Sequence, residues 1–254
     1  MKNKKHLTSW ENASDWYHEI VGSEGHYYHQ HVIFPLIRKL LITKKKNQSI
    51  LDLGCGQGVL SQHIPDNYTY DGVDISSTFI KLARKHFQIA VDKTFHLHDL
   101  CQPFELGKAF THAILMLSFQ NLEKPSIALD NAKKHLKQGG TLIMVLNHPC
   151  FRIPRQSCWG VDEEKKIQYR RMDSYLSFQK IPIDIHPGQK DKTTTFSFHH
   201  SLTDIFGMLE KSGFTVSSII ESTSDKTSTG KNAKMENKAR SEFPLFMTII
   251  AKSL

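Results

Sequence analysis

The feature that most constrains this chain is Ile50-Leu51-Asp52-Leu53-Gly54-Cys55-Gly56-Gln57-Gly58, a short apolar strand running into a loop with glycine at every second position. Without Cβ atoms, such a loop can turn sharply and bring its backbone close to a ligand. The residues that follow, Val59 to His63, are expected to open a helix whose free N–H groups face the same ligand. Spacing separates this loop from its phosphate-binding neighbours. A dinucleotide turn places glycine at its first, third and sixth positions. Gly54 and Gly56 fit, but position 59 is Val and the third glycine comes early, at Gly58. A phosphate loop ends in Gly-Lys-Ser/Thr, which Gln57-Gly58-Val59-Leu60 lacks.

Short apolar strands alternate with single helices downstream of the loop. Strands are expected at Tyr68–Val73 ending in Asp74, at Thr94–Leu97 before Asp99, at Ala113–Leu117 and at Thr141–Leu146. Helices are expected at Phe79–Phe87, capped by Ser76 or Ser77, and at Pro125–Leu136, closed by Gln138-Gly139-Gly140. This alternation predicts an α/β fold with a parallel sheet covered on both faces. Upstream, Ser14 is the expected N-cap of a first helix, and the apolar residues from Val32 to Leu41 have helical spacing. Residues 147–200 lose the rhythm and read as an insertion over the sheet edge. After it come a capped helix at Ser201–Ser212, a strand at Thr215–Ile220, a polar loop over 222–236 and a last strand at Phe243–Ala251. The link between these last two strands has no helical pattern, so they are expected to pair antiparallel.

No apolar run approaches the roughly 18 to 20 residues needed to span a bilayer. The basic start, Met1-Lys2-Asn3-Lys4-Lys5-His6, has no apolar stretch behind it. Four cysteines without Cys-x-x-Cys spacing suit free thiols in a reducing cytoplasm. The net charge of +8 lies outside the glycine-loop region: residues 47–146 carry nine basic and nine acidic groups. An anionic or nucleic-acid partner is therefore allowed but not required.

Gly54 to Gly58, Gly72-Val73-Asp74-Ile75-Ser76, Asp99-Leu100 and Leu136-Lys137-Gln138-Gly139-Gly140-Thr141-Leu142 follow one another as the motifs of a known family do. Together they resemble class I S-adenosylmethionine (SAM) methyltransferases, specifically the type-11 domain family that includes the ubiquinone- and menaquinone-biosynthesis enzymes. Gln138 departs from the proline usual there. The resemblance implies a Rossmann-like, doubly wound, mostly parallel seven-stranded sheet with one antiparallel edge strand, and SAM as cofactor. It implies a helical cap over residues 1–46 and a catalytic domain over 47–254, with 147–200 on the acceptor side. It also implies that Tyr17 and the Tyr27/Tyr28 pair close over the cofactor.

On that basis Asp52, Gly54, Cys55 and Gly56 are expected around the methionine and sulfonium. Asp74, with Ile75 beside it, is expected to accept from both ribose hydroxyls. Asp99 and Leu100 are placed on the adenine, and Met116 and Leu117 on the crevice at the carboxyl ends of the strands. His148, just after the fifth strand, is the candidate general base, because an ordinary histidine titrates near neutrality. Trp159, Tyr169 and Tyr175 are candidate walls for the methyl acceptor. No Asn/Asp-Pro-Pro-Tyr/Phe follows the fourth strand, which argues against amino-methylation of adenine or glutamine. His186, His199 and His200 have no carboxylates at ligand spacing, so no metal site is expected. The sequence reading is a cytoplasmic enzyme methylating a small molecule. An RNA or protein methyltransferase using the basic flanks, and a non-catalytic SAM-binding regulator, are the alternatives.

Overall fold

A computed structural model describes residues 10–184 and 194–254; His186 lies outside the described residues. The chain begins with a 3-10 turn, Trp10–Ala13, and helix α1, Ser14–Val21. A π-helical turn, His29–Ile33, continues into α2, Phe34–Leu41, whose Pro35 sits in the first turn where its missing N–H costs nothing. Ser14 is not the cap expected of it. Ala13 holds the N-cap position, and the Ser14 hydroxyl donates back to the Glu11 carbonyl at 2.9 Å.

The central unit is β1 (Gln48–Leu53), β2 (Tyr68–Asp74), α3 (Ser77–His86), β3 (Lys93–Leu97), β4 (Phe110–Met116), α4 (Pro125–His135) and β5 (Leu136–Asn147). Two hairpins follow, β6 (Ser157–Asp162) with β7 (Ile167–Met172) and β8 (Gln179–Asp184) with β9 (Thr194–His199). The chain closes with α5 (Leu202–Lys211), β10 (Phe214–Ser222), α6 (Ala233–Glu242) and β11 (Phe246–Ser253).

Seven strands form one sheet in the order β10-β11-β5-β4-β1-β2-β3. The pairs among β1 to β5 are parallel, and β11 runs antiparallel to both β5 and β10. This is the α/β sheet expected, with the reversed strand one place in from the edge. Side chains alternate between faces along each strand, and both faces are covered. Leu51, Leu53 and Leu115 pack with Ala128, Leu129 and Ala132 of α4 and with Ile205 and Leu209 of α5. Ile50, Tyr70 and Ile114 pack with Ile37 and Leu41 of α2 and with Ile80 and Ala83 of α3. Burial on both faces explains why β1, β4 and β5 read as continuous apolar runs.

Several elements differ from the sequence reading. The helix expected at Val59–His63 is a single 3-10 turn, Val59–Gln62, halted by the Pro65 turn. Helix α6 occupies part of the segment read as non-helical. It buries only Ala239, so its sequence carries no apolar stripe to betray it. The Gly139-Gly140 turn is an irregular opening of β5, with Gly139 at φ +71° and a register break opposite β4. The segment read as irregular is largely the two hairpins; β9 continues toward α5 and packs on the 3-10 turn Phe119–Asn121. Among the described residues no helix is long and apolar enough to cross a membrane.

Ser201 caps α5 through a reciprocal box. Its hydroxyl accepts from the Asp204 N–H, while the Asp204 carboxylate accepts from the Ser201 N–H. Ser201→Ala should therefore lower the unfolding free energy by about 1 kcal/mol in denaturant titration, leaving the distant glycine loop unaffected.

Candidate functional site

The loops at the carboxyl ends of β1 to β5 surround a cleft of about 510 Å³, roofed by residues of the N-terminal segment. Its floor is the glycine loop. The Gly54 and Cys55 N–H groups both donate to the Val73 carbonyl, at 2.8 and 3.0 Å, which ties the end of β1 to the end of β2. Gly54, Gly56 and Gly58 all have positive φ, at +82°, +54° and +81°. Space as well as backbone demands glycine here. A Cβ on Gly54 would lie 2.5 Å from the Ser118 Cβ, and one on Gly58 would lie 2.7 Å from the Phe95 ring.

Asp74 is held from two sides. Its Oδ2 accepts from the Gly56 N–H and its Oδ1 from the Ser76 N–H, each at 2.8 Å. Burial raises its pKa against the lowering effect of these donors. Each carboxylate oxygen accepts more than one hydrogen bond, so capacity remains toward the cleft that Asp74 lines. Asp99 shapes its own turn, its Oδ1 accepting from the Cys101 N–H at 2.8 Å. Leu117 takes φ +54°, a conformation rare for a branched side chain. It is fixed there because its N–H donates to Val145 and its carbonyl accepts from the Gln120 and Asn121 amides.

The roof is latched at two places. The Glu11 carboxylate accepts from the hydroxyls of Ser76 (2.6 Å), Ser77 (2.9 Å) and Thr78 (2.7 Å) at the start of α3. Gln57, inside the glycine loop, bonds the His18 ring and donates to the Gly22 carbonyl, each at 2.6 Å. Tyr17, packed between Trp10 and Phe79, therefore sits over the cleft. Burial and the Asp74 and Asp52 carboxylates push its phenol well above the usual range, so it remains an O–H donor.

Of the residues expected at the site, Tyr17, Gly54, Gly56, Asp74, Ile75, Asp99, Leu100, Met116 and Leu117 line the cleft. Four others are placed elsewhere. Asp52 lies beneath the floor, 1% exposed, accepting from the Tyr70 hydroxyl at 2.6 Å. Its Oδ1 has no partner, and burial lifts its pKa to about 7 against the pull of Tyr70. Cys55 packs its thiol over Gly72, where a Cβ would come within 2.7 Å of the sulfur. Tyr28 turns toward Ser224, 3.2 Å away, and rests under Lys226. His148 is buried, its Nδ1 accepting from the Cys150 N–H and its Nε2 bound to Glu221 at 2.7 Å. With both ring nitrogens engaged, it braces the end of β5 against β10 and does not line the cleft.

The acceptor walls also differ. Trp159 meets Phe243 edge to face and lies under the Arg170 guanidinium, Tyr169 covers Gly160, and the Tyr175 hydroxyl accepts from the Leu202 N–H. None of these lines the cleft. Asn147, Pro154, Ile183 and Ser197 do, so hairpin β8–β9 closes that side. Glu11, Gln57 and Ser197 were not singled out from sequence. Glu11 meets its partners across 65 to 67 positions, which no local pattern signals.

Burial works to raise the Glu11 pKa, but the hydrogen bonds from Ser76, Thr78 and Ser77 bring it down to about 2 from 4.5. A depressed acid contributes its stabilisation above the unfolded value and loses it as pH falls through the folded one. In a Trp159→Phe background, the emission of Trp10 and Trp16 should shift red between about pH 4.5 and pH 2. Glu11→Ala should show the shifted, quencher-accessible spectrum already at neutral pH; an unchanged spectrum would count against the latch.

Residues 51–142 match a family model described as a methyltransferase domain. The chain is 26% identical over 184 residues to a ubiquinone biosynthesis O-methyltransferase of Coxiella burnetii, covering 70% of this chain and 73% of that protein. It is 25% identical over 140 residues to a malonyl-[acyl-carrier protein] O-methyltransferase of Halalkalibacterium halodurans, covering 50% and 52%. Its fold is similar to that of an S-adenosylmethionine-dependent methyltransferase from Mesorhizobium loti, with TM-score 0.64, 18% identity and coverage of 88% and 99%.

Proposed function

We propose that this chain, a class I SAM-dependent methyltransferase, methylates a small molecule held between its cofactor cleft and hairpin β8–β9. The observation that carries this reading is Asp74, a carboxylate fixed by two backbone N–H groups and lining the cleft beside a loop with glycine at alternate positions. The surroundings fit a cationic, diol-bearing cofactor. Asp74 and Asp99 line the cleft and Asp52 lies beneath it with an unpartnered Oδ1, while among the described residues no Lys or Arg lines it. Asp74 would hold the ribose hydroxyls, Gly54 and Gly56 the methionine end, and Asp99 and Leu100 the adenine.

Bound there, SAM would supply a methyl group already activated by its sulfonium for transfer to a nucleophilic atom of the acceptor. The protein's part is placement, which alone accounts for much of such a rate. The Glu11 and Gln57 latches hold Tyr17 over the cleft and exclude water. His29 lines the cleft but is kept neutral, lowered to about 4 by burial and by His26 and His63. Its Nδ1 accepts from the His26 N–H, so its proton sits on Nε2 and it offers a donor rather than a base. An acceptor that ionises readily needs no enzymic base. The two sequence relatives are named as O-methyltransferases, which supports an oxygen nucleophile.

Calorimetry tests the cofactor reading. S-adenosylhomocysteine (SAH) should bind, and Asp74→Ala should weaken it by about ten- to a hundredfold, the loss of charge-assisted bonds. Unchanged affinity overturns the ribose assignment. Asp52 gives an independent check. It is partly protonated near pH 7, and a neighbouring sulfonium favours its charged form. SAM binding near pH 7 should thus release a proton, seen as a buffer-dependent enthalpy. SAH should release less, and Asp52→Asn should abolish the effect.

A further inference from the structure

Behind the acceptor wall lies a second, small cavity of about 30 Å³. It is continuous with the cofactor cleft in its lining, sharing Gln120, Asn147, Pro154 and Ser197. The two spaces differ in charge. The cleft is lined by the carboxylates of Asp74 and Asp99. Among the described residues the small cavity is lined by one permanently charged side chain, Arg152, and by no acid.

Arg152 is the unusual residue. Among the described residues its guanidinium has neither hydrogen bond nor ion pair, and no carboxylate acts on it; the Tyr28 phenol is the one acidic group it feels. Partial burial lowers its pKa, while the residue stays exposed to solvent. That combination describes a cavity wall rather than a free surface arm. The neighbouring cation worsens its position: Arg170, tied to the Phe151 carbonyl and the Ser157 hydroxyl, feels repulsion from Arg152. An arginine lining a cavity with no carboxylate beside it attracts an anion, and its guanidinium is a planar fork matched to carboxylate. A second polar group waits at the same place. His200 borders the cavity with a buried Nε2 that has no partner, and burial keeps the ring neutral, able to carry its proton on that nitrogen. The space accommodates roughly two water-sized groups, matching the two oxygens of a carboxylate.

We propose that the methyl acceptor is a small organic acid whose carboxylate seats in this side cavity against Arg152 and His200, with the rest of the molecule lying in the cofactor cleft. The proposal rests on the methyltransferase reading above and names its substrate class. Arg152 is a substrate-anchoring residue, and the anchored carboxylate is distinct from the atom methylated. The arrangement also separates opposite charges. The cationic cofactor lies among acids at one end of the cleft, and the anionic acceptor is drawn by a cation at the other.

Matched pairs that differ only in charge test it. The full-length protein is titrated calorimetrically with benzoate against benzamide and octanoate against octanamide, each with and without SAH. At least one acid should bind about tenfold or more tighter than its amide, a difference of about 1.4 kcal/mol. Arg152→Gln should erase that preference, Arg152→Lys should keep part of it, and SAH affinity and the melting temperature should be the same in all three proteins. Equal affinity of acid and amide for both pairs overturns the proposal, as does a preference that survives in Arg152→Gln. Absence of SAH binding to the unaltered protein speaks against the cofactor reading alone, because the acid titrations without SAH still report on Arg152.

Discussion

The pair of hydrogen bonds that Asp74 accepts, from Gly56 on one side and Ser76 on the other, is the joint on which the site depends. It binds the loop after β1 to the loop after β2 and sets the start of α3. Once α3 begins there, the Ser76, Ser77 and Thr78 hydroxyls point where Glu11 can reach them. The same loop carries Gln57, which secures α1. A single carboxylate thus orders the floor of the cleft directly and its roof through two further contacts. Its raised pKa reflects the conflict inherent in such a place: burial opposes charge, and aligned N–H donors restore it.

Asp74 and Asp52 are both acids at the ends or middles of neighbouring strands, yet their surroundings give them different tasks. Asp74 accepts from backbone donors and faces the cleft. Asp52 accepts one phenol and leaves an oxygen unsatisfied below the floor. Buried polar atoms without partners are uncommon in folded proteins. The unpartnered Asp52 Oδ1 leaves that carboxyl free to take charge in response to the cationic cofactor proposed above the loop. The short 3-10 turn after the loop supports the same preference, because it supplies no long aligned helix to attract a pyrophosphate.

The parts legible in the sequence were those governed by short-range rules. Alternating glycines, strand-ending acids and apolar runs located β1 to β5, the cleft floor, Asp74, Asp99 and Leu117. The segments that escaped were set by contacts distant in sequence. Hairpin β8–β9 contains Pro182 paired with Phe196 and buries only part of its length, so it shows no clean alternation. Helix α6 rests on one buried alanine. His148 has the residue type and strand position of a base, but a partner 73 residues away, Glu221, claims its Nε2. Sequence proximity to a strand end reports where a backbone goes, not which way a side chain turns. The aromatic residues Trp159, Tyr169 and Tyr175 illustrate this too, since they stabilise the hairpins and the start of α5 rather than wall the cleft.

The Glu11 latch carries a consequence for how the molecule is assembled. Its acceptors on α3 exist as a cluster only after β2 has paired with β1 and α3 has formed. Those residues follow Glu11 by more than sixty positions, and long closures of this kind form late because their entropy loss precedes their reward. The segment from Trp10 to Val21 therefore precedes every strand of the sheet in the chain yet can dock only once β1, β2 and α3 are in place. A stretch early in the chain is thus seated late, and until then its tryptophans and the cleft floor remain open together.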